Sequence, residues 1–394
     1  MKLKTLSTAM ILAALPVSGA FAAAMDRSGQ SISAFLQPGN YAEAGISILD
    51  PTVKGLDIDA TSKDRNDPRK PVADMADDYY FPYAAIKVQA TDKISLGLIY
   101  DQPFGADATY QVDGSNFSNS VKGTEAKVRT NNLTALIGYQ PNKNWNFYAG
   151  PVWQTVEADI NLTGSTYSIL SGYNIDVKQE EAFGWLAGFA YQIPEIAMKA
   201  SVTYRSEIKH NAKSTEKSNL PAYADYLSIP EFKHLAVVEN VTQAVTPQSV
   251  NIDLQSGIAK NTLAFANLRW VHWDQFVVSP VLLKVANQNL ISYSDDQYSA
   301  TVGIGHKFSE KWSASTSVGY DSGAGNPVTT LGPTEGYWSV GLGGQYSPTE
   351  QTFIQAGVKY FWLGDAVALT AGKEVGDFEN NYAMGYGLKI GYRF

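Results

Sequence analysis

The stretch Tyr382-Ala383-Met384-Gly385-Tyr386-Gly387-Leu388-Lys389-Ile390-Gly391-Tyr392-Arg393-Phe394 closes the chain. Tyr382, Met384, Tyr386, Leu388, Ile390, Tyr392 and Phe394 are large and apolar. They alternate with residues that are small or charged. A period of two sends successive side chains to opposite faces, so this is a strand with one apolar and one polar face. Ending on an aromatic residue, it predicts the closing strand of a bacterial outer-membrane β-barrel, apolar toward lipid and polar toward the lumen. A soluble sandwich strand is the competing reading, but such domains seldom end on so regular an apolar strand.

The other end agrees. Lys2 and Lys4 precede an apolar run from Leu6 to Val17, and small residues follow at Ala20, Ala22 and Ala24. This pattern predicts a cleaved secretory signal over residues 1–24. No other segment reaches the roughly eighteen apolar residues of a membrane-spanning helix. There are no cysteines, so neither disulfides nor thiolate metal sites are expected. The 23 Tyr, 8 Trp and 16 Phe suit membrane–water interfaces, where one end of the ring is apolar and the other wet. A net charge of −8 argues against a nucleic-acid partner.

Segments of period two recur along the chain. The first covers Tyr41–Leu49, the second Pro82–Ala90, and the third runs from Ile94 to Tyr100. Later ones carry Leu133, Trp145, Phe183, Met198, Val250, Ala264, Ala300, Trp312, Trp338 and Ile354, and the C-terminal one makes fourteen. Tight turns follow the even segments, as at Thr91-Asp92-Lys93 and Pro141-Asn142-Lys143, and long connections follow the odd ones. Sorting by parity is the mark of short periplasmic turns and long external loops. The expected fold is all-β: a 14-stranded antiparallel transmembrane β-barrel over residues 40–394, with residues 25–39 as a short N-terminal plug, or hatch. No second domain is expected.

Small residues on the inward side, such as Ser315, Ser317, Gly343 and Gly387, leave room for a plug or a ligand. Glu43, Lys87, Arg205, Glu207, Asp253, Arg269 and Lys359 fall on inward alternations, with Phe265 beside Arg269 on the ninth segment. Arg205 and Arg269 are expected to form the cationic part of the interior. The fourth long connection, about 211–247, contains Leu227 and Phe232, and the fifth contains Phe276 and Leu282. Such apolar clusters predict a ligand groove between the two loops, or a lid if they pack on each other. After Tyr100 comes Asp101-Gln102-Pro103-Phe104-Gly105. Pro103 has no N–H for a ladder, so Pro103, Phe104 and Gly105 are candidates for a lateral opening in the wall.

Phe183-Gly184-Trp185, Tyr204-Arg205-Ser206-Glu207, Trp270-Val271-His272-Trp273 and Asp101-Gln102-Pro103-Phe104-Gly105 resemble the long-chain fatty-acid and hydrocarbon outer-membrane transporters. The resemblance spans essentially the whole mature chain. It implies a fourteen-stranded barrel with an N-terminal hatch, capture of hydrophobic ligands between outer loops, and release through a gap at a kinked third strand into the membrane. Two departures stand out. The hatch is short and lacks the family's Asn-Pro-Ala motif. The family's two basic carboxylate-binding positions fall near Glu157 and Asp295, whose acidity would repel a carboxylate and keeps a neutral hydrocarbon or alcohol open.

The expected function is passive uptake of long-chain fatty acids or similar hydrophobic compounds by a monomer in contact with outer-membrane lipid. A general diffusion porin, a structural outer-membrane protein and an outer-membrane hydrolase are the alternatives. None of His210, His234, His272 and His306 joins a serine and an acid in a motif, so no enzyme is expected. Neither a cofactor nor a metal is expected.

Overall fold

The computed structural model describes residues 25–58, 69–285 and 288–394; the signal expected over residues 1–24 lies outside them. The wall begins with β1 (Tyr41–Thr52), β2 (Tyr79–Gln89), β3 (Ile94–Asp101), β4 (Glu125–Tyr139), β5 (Trp145–Leu162), β6 (Tyr173–Ile193) and β7 (Met198–Arg205). It continues with β8 (Ser249–Ala259), β9 (Thr262–Val271), β10 (Gln297–Lys307), β11 (Trp312–Asp321), β12 (Tyr337–Tyr346), β13 (Thr352–Leu363) and β14 (Tyr382–Arg393). Neighbours pair antiparallel, and β1 pairs with both β2 and β14. That closes the ring at fourteen strands.

Register follows the pattern of the terminal segment. Ile390, Leu388 and Tyr386 lie opposite Ala44, Ile46 and Ile48 on the outer face. Lys389, 3% exposed, points inward. Aromatic residues gather outside at both ends of the strands. Trp145 meets Tyr191 (4.8 Å) and Trp312 meets Tyr346 (4.7 Å) near the tight turns; Tyr320 meets Trp338 (4.9 Å) at the opposite end. These are the two interfacial girdles of a membrane barrel.

Three elements depart from the sequence reading. First, the second strand begins at Tyr79, so Pro82 is inside it rather than at its start. Second, the fourth long connection is not one loop. Residues Ile208–Lys217 and Val237–Thr246 form a ladder that extends β7 and β8 outward, leaving 218–236 as the loop. Third, the outer loops are organised. A five-stranded sheet joins Val328–Thr329, Ala366–Thr370, Lys373–Phe378, Gly55–Asp57 and Pro71–Val72. Tyr110, Phe117 and Phe378 pack in one aromatic cluster in the same region, Tyr110 and Phe117 stacked at 4.6 Å.

The N-terminal segment lies within the barrel. Ile32 and Phe35 are both 1% exposed and pack on Leu136, Tyr148 and Leu186. Glycines make room for the Phe35 ring: a Cβ at Gly97 would lie 2.5 Å from it, and one at Gly138 2.9 Å. The small inward residues of β11 and β12 do not serve as this seat. Ser315, Ser317 and Gly343 stay half-exposed on the lumen side.

Candidate functional site

The site is built where β3 leaves the wall. The β2–β3 ladder ends at Ala84 opposite Tyr100. Above it, Tyr79–Tyr83 pair only with β1. The chain resumes at Gly105–Thr109, which pairs in register with β4. The segment between is stitched inward. The Arg27 N–H donates to the Pro103 carbonyl (2.6 Å), and the Gly105 N–H to the Met25 carbonyl (2.9 Å). The Phe104 N–H donates to Thr130 Oγ1 (2.9 Å), and that hydroxyl donates to the Phe104 carbonyl (2.7 Å). Backbone groups that would meet hydrocarbon unpaired therefore find partners inside the lumen.

The window this leaves is framed. Its top is closed by the Tyr79 hydroxyl donating to the Asp107 carbonyl (3.1 Å) and by a bridge between Ala76 and Ala108. Pro82 and Pro103, one on each side, carry no N–H, so the rim has fewer donors to satisfy. Pro82 escaped the sequence reading; its position within the aromatic run Tyr79-Tyr80-Phe81-Pro82-Tyr83 is the signal that could have found it. Behind the window is a cavity of about 70 Å³ lined by Ser28, Ala34, Phe81, Pro82, Ile99 and Gln102. A second, about 30 Å³, is lined by Met25, Met75, Tyr79, Ala106 and Leu331, on the outer side of the kink. A polar recess of about 280 Å³ among the outer loops shares Thr329 with it.

Gly105 does not act through left-handed torsions: its φ is not in the left-handed region. What it supplies is closeness: a Cβ there would lie 3.0 Å from the Val128 carbonyl oxygen. Phe104 is 3% exposed and turns inward, edge-on to Trp273 at 5.6 Å.

The two arginines differ. Arg269 is fully engaged: its Nε meets Asp26 at 2.6 Å, and its Nη atoms donate to Asn251 Oδ1 (2.6 Å) and Gln30 Oε1 (3.0 Å). With the Asn251 amide donating to the Gly29 carbonyl (2.8 Å), it ties the N-terminal segment to β8 and β9. Arg205 is 7% exposed and its Nη1 has no hydrogen-bond partner. Asp101, Asp253 and Arg269 are among its charged neighbours, but Asp101 already accepts a hydrogen bond from Ser28 (2.5 Å) and Asp253 one from Asn267 (2.7 Å). Phe265 faces inward, its ring over Gly303.

Other candidates are placed differently from the reading of the sequence. Glu207 is exposed and pairs with Lys209 at 3.1 Å, outside the lumen. The cause is a break at Ser206–Glu207. Inward residues are Ser201, Thr203 and Arg205 before it and Ile208, His210 and Ala212 after it, so the alternation changes phase. Glu157 lies opposite Arg129, whose side chain is exposed; cross-strand partners share a face, so Glu157 points outward. Asp295 is exposed in an outer loop. Neither acid therefore lines the lumen to repel a carboxylate.

The two apolar loops pack on each other as a lid rather than leaving an open groove. Phe232, Phe276 and Leu282 are 3%, 5% and 0% exposed and belong to one core with Leu220 and Trp273. Leu227 alone of the four groove candidates is exposed, at 37%. Glu216 clamps the lid: its carboxylate accepts the Val281 and Leu282 N–H groups, each at 2.9 Å, and the Tyr173 hydroxyl at 3.0 Å. Trp273 meets Phe104 edge-on and is itself packed edge-on by Phe276 and Tyr293, so the lid rests on the kink through Trp273.

Residues 22–394 match the family described as "Outer membrane protein transport protein (OMPP1/FadL/TodX)". The long-chain fatty acid transport protein of Salmonella typhi is 23% identical over 378 residues, 89% of this chain and 84% of its own length. The crystal structure of a Pseudomonas aeruginosa FadL homologue superposes with a TM-score of 0.72 at 15% identity, covering 96% of this chain and 98% of that one. That of the P. putida toluene transporter TodX does so at 0.60 and 13% identity, covering 92% and 91%. At these identities the two structures speak for the fold alone.

Proposed function

The chain belongs to the OMPP1/FadL/TodX family of outer-membrane transport proteins, and on that premise we propose that it takes up fatty acids or similar hydrophobic molecules by passive diffusion, releasing them sideways into the membrane between β2 and β3. Residues 25–39 act as the hatch. The observation that carries this reading is the end of the β2–β3 ladder at Ala84 and Tyr100, with a cavity behind it and the kinked segment bonded inward to Arg27 and Met25. An apolar ligand gains by leaving through such a window, because the downward route crosses water.

Several residues take roles. Pro103, Phe104 and Gly105 hold the window open. Arg205 receives a carboxylate, since a buried guanidinium with an unpartnered N–H is costly until an anion satisfies it. Phe265 lines the interior; Arg269 holds the hatch. Leu227, Phe232, Phe276 and Leu282 form or flank the lid through which ligand enters.

The test replaces Pro103 with Val and Gly105 with Ala together. The added Cβ at residue 105 crowds the Val128 carbonyl, and the restored N–H at residue 103 seeks pairing with β2. Uptake of a labelled fatty acid should fall severalfold while the barrel assembles and keeps its thermal stability. Unchanged uptake by the assembled variant refutes the sideways route.

A further inference from the structure

The periplasmic mouth contains a further cavity, of about 630 Å³, formed by the end of the N-terminal segment, the barrel turns and the adjoining strand ends. Its apolar part is Leu36, Met198 and Leu263. Its charge is inverted relative to the chain: Lys87, Lys93, Lys143 and Lys199 line it against a single acid, Asp92, whereas the whole chain carries −8. Lys143 is occupied by Glu195 at 2.7 Å. Of the others, Lys87 and Lys199 meet only neutral oxygens. Lys87, 2% exposed, donates to the Gln37 carbonyl (2.7 Å) and to Gln89 Oε1 (3.0 Å). Lys199 donates to the Leu36 carbonyl (2.7 Å). The two ammonium groups are close enough to repel each other. Each ammonium has three N–H donors, so both retain capacity for another acceptor.

Two like charges set beside the apolar patch of an otherwise polar cavity, with no carboxylate between them, suit an anion carrying an apolar chain. We propose that this mouth binds an amphiphilic carboxylate from the periplasmic side, with its oxygens between Lys87 and Lys199 and its chain against Leu36, Met198 and Leu263. Both lysines hold carbonyls of residues 36 and 37. A carboxylate, a stronger acceptor than a carbonyl, draws the ammonium groups away and loosens the segment where it enters β1. The site is thus placed to sense carboxylates accumulating below the barrel.

The full barrel, purified in amphipol, is titrated with decanoate and with decanol, and hydrogen exchange is followed over residues 36–40. Decanoate should bind saturably at this site and speed exchange there. Lys87→Met with Lys199→Met should weaken that binding at least tenfold and abolish the exchange response. Decanol should produce neither effect. Equal binding by the double variant, an equal response to decanol, or a preference for decyl phosphate over decanoate overturns the proposal. If the double variant does not assemble, a diazirine-bearing decanoate is photolysed on the native protein. Label at residues 36–39 or Met198 supports the site, and label only elsewhere overturns it. The readout is binding to isolated protein at the periplasmic end, so failure of the sideways route at β2–β3 would leave it unchanged.

Discussion

Arg205 and Arg269 occupy equivalent inward positions on β7 and β9, yet only one is free to act on a ligand. Arg269 spends its donors on Asp26, Asn251 and Gln30, while Arg205 keeps an Nη1 without a partner. Arg205→Ala should therefore lower fatty-acid uptake about tenfold or more, the worth of a charge-assisted hydrogen bond of roughly 1.5–3 kcal/mol, and spare a neutral alkane. Equal losses for both ligands would assign Arg205 to structure. Alternation alone was enough to place both arginines inward. It could not separate them, because the partners of Arg269 come from residues 26–30 and from β8. The same alternation misplaced Glu207, since the phase change at Ser206–Glu207 leaves no periodic trace. A second residue-scale effect lies outside the membrane. Glu335, in the loop before β12, is pushed up to about 7, chiefly by burial and further by Asp295, against the Gly325 N–H that holds it down. The folded loop then binds more protons than the unfolded one between the ordinary value of 4.5 and about 7, so its stability falls as pH rises through that window. Hydrogen-exchange protection over residues 323–336, taken relative to the intrinsic exchange rate at each pH, should be greater at pH 5 than at pH 7.5, and Glu335→Gln should remove the difference.

At the scale of elements, the kink after β3 and the lid above it form one unit. Phe104 turns under Trp273, which Phe276 and Tyr293 pack in turn, and Glu216 fixes the short turn of helix at Val281–Val285. Placing Asp at Phe276 or Leu282 buries a charge without a partner, so the lid should detach while the barrel, which does not depend on it, still assembles. Leu282→Ala should destabilise the lid by about 2–5 kcal/mol. Both effects are read by protease sensitivity of residues 276–293 in intact cells. Normal protection of the Asp variants would contradict the packing. The apolar character of these loops was plain in the sequence. Their mutual packing was not, because contacts between residues some fifty positions apart leave no local pattern. The kink was visible through Pro103, but its inner partners, Arg27 and Met25, are recognisable only once the N-terminal segment is seen in the lumen.

The whole molecule is a ring whose strand count was readable because turn length alternates with parity, from Ala90–Lys93 on one side to Pro194–Ala197 on another. What periodicity could not reveal is how the lumen is divided. The N-terminal segment leans on the β3–β4 side against Gly97 and Gly138, and the serine and glycine wall of β11 and β12 is left half-exposed. That asymmetry brings the segment's first residues to the window, where they take the hydrogen bonds β2 would otherwise supply. The central claim is that ligand leaves through this window, and the chain, having no native cysteine, permits a direct test. Pro82→Cys and Gln102→Cys place one thiol on each rim of the cavity, to be joined by a short, reducible dithiol crosslinker in living cells. Fatty-acid uptake should fall to the level of cells lacking the protein when the bridge is formed and return when it is reduced. Uptake that continues undiminished across the bridged window would contradict the account.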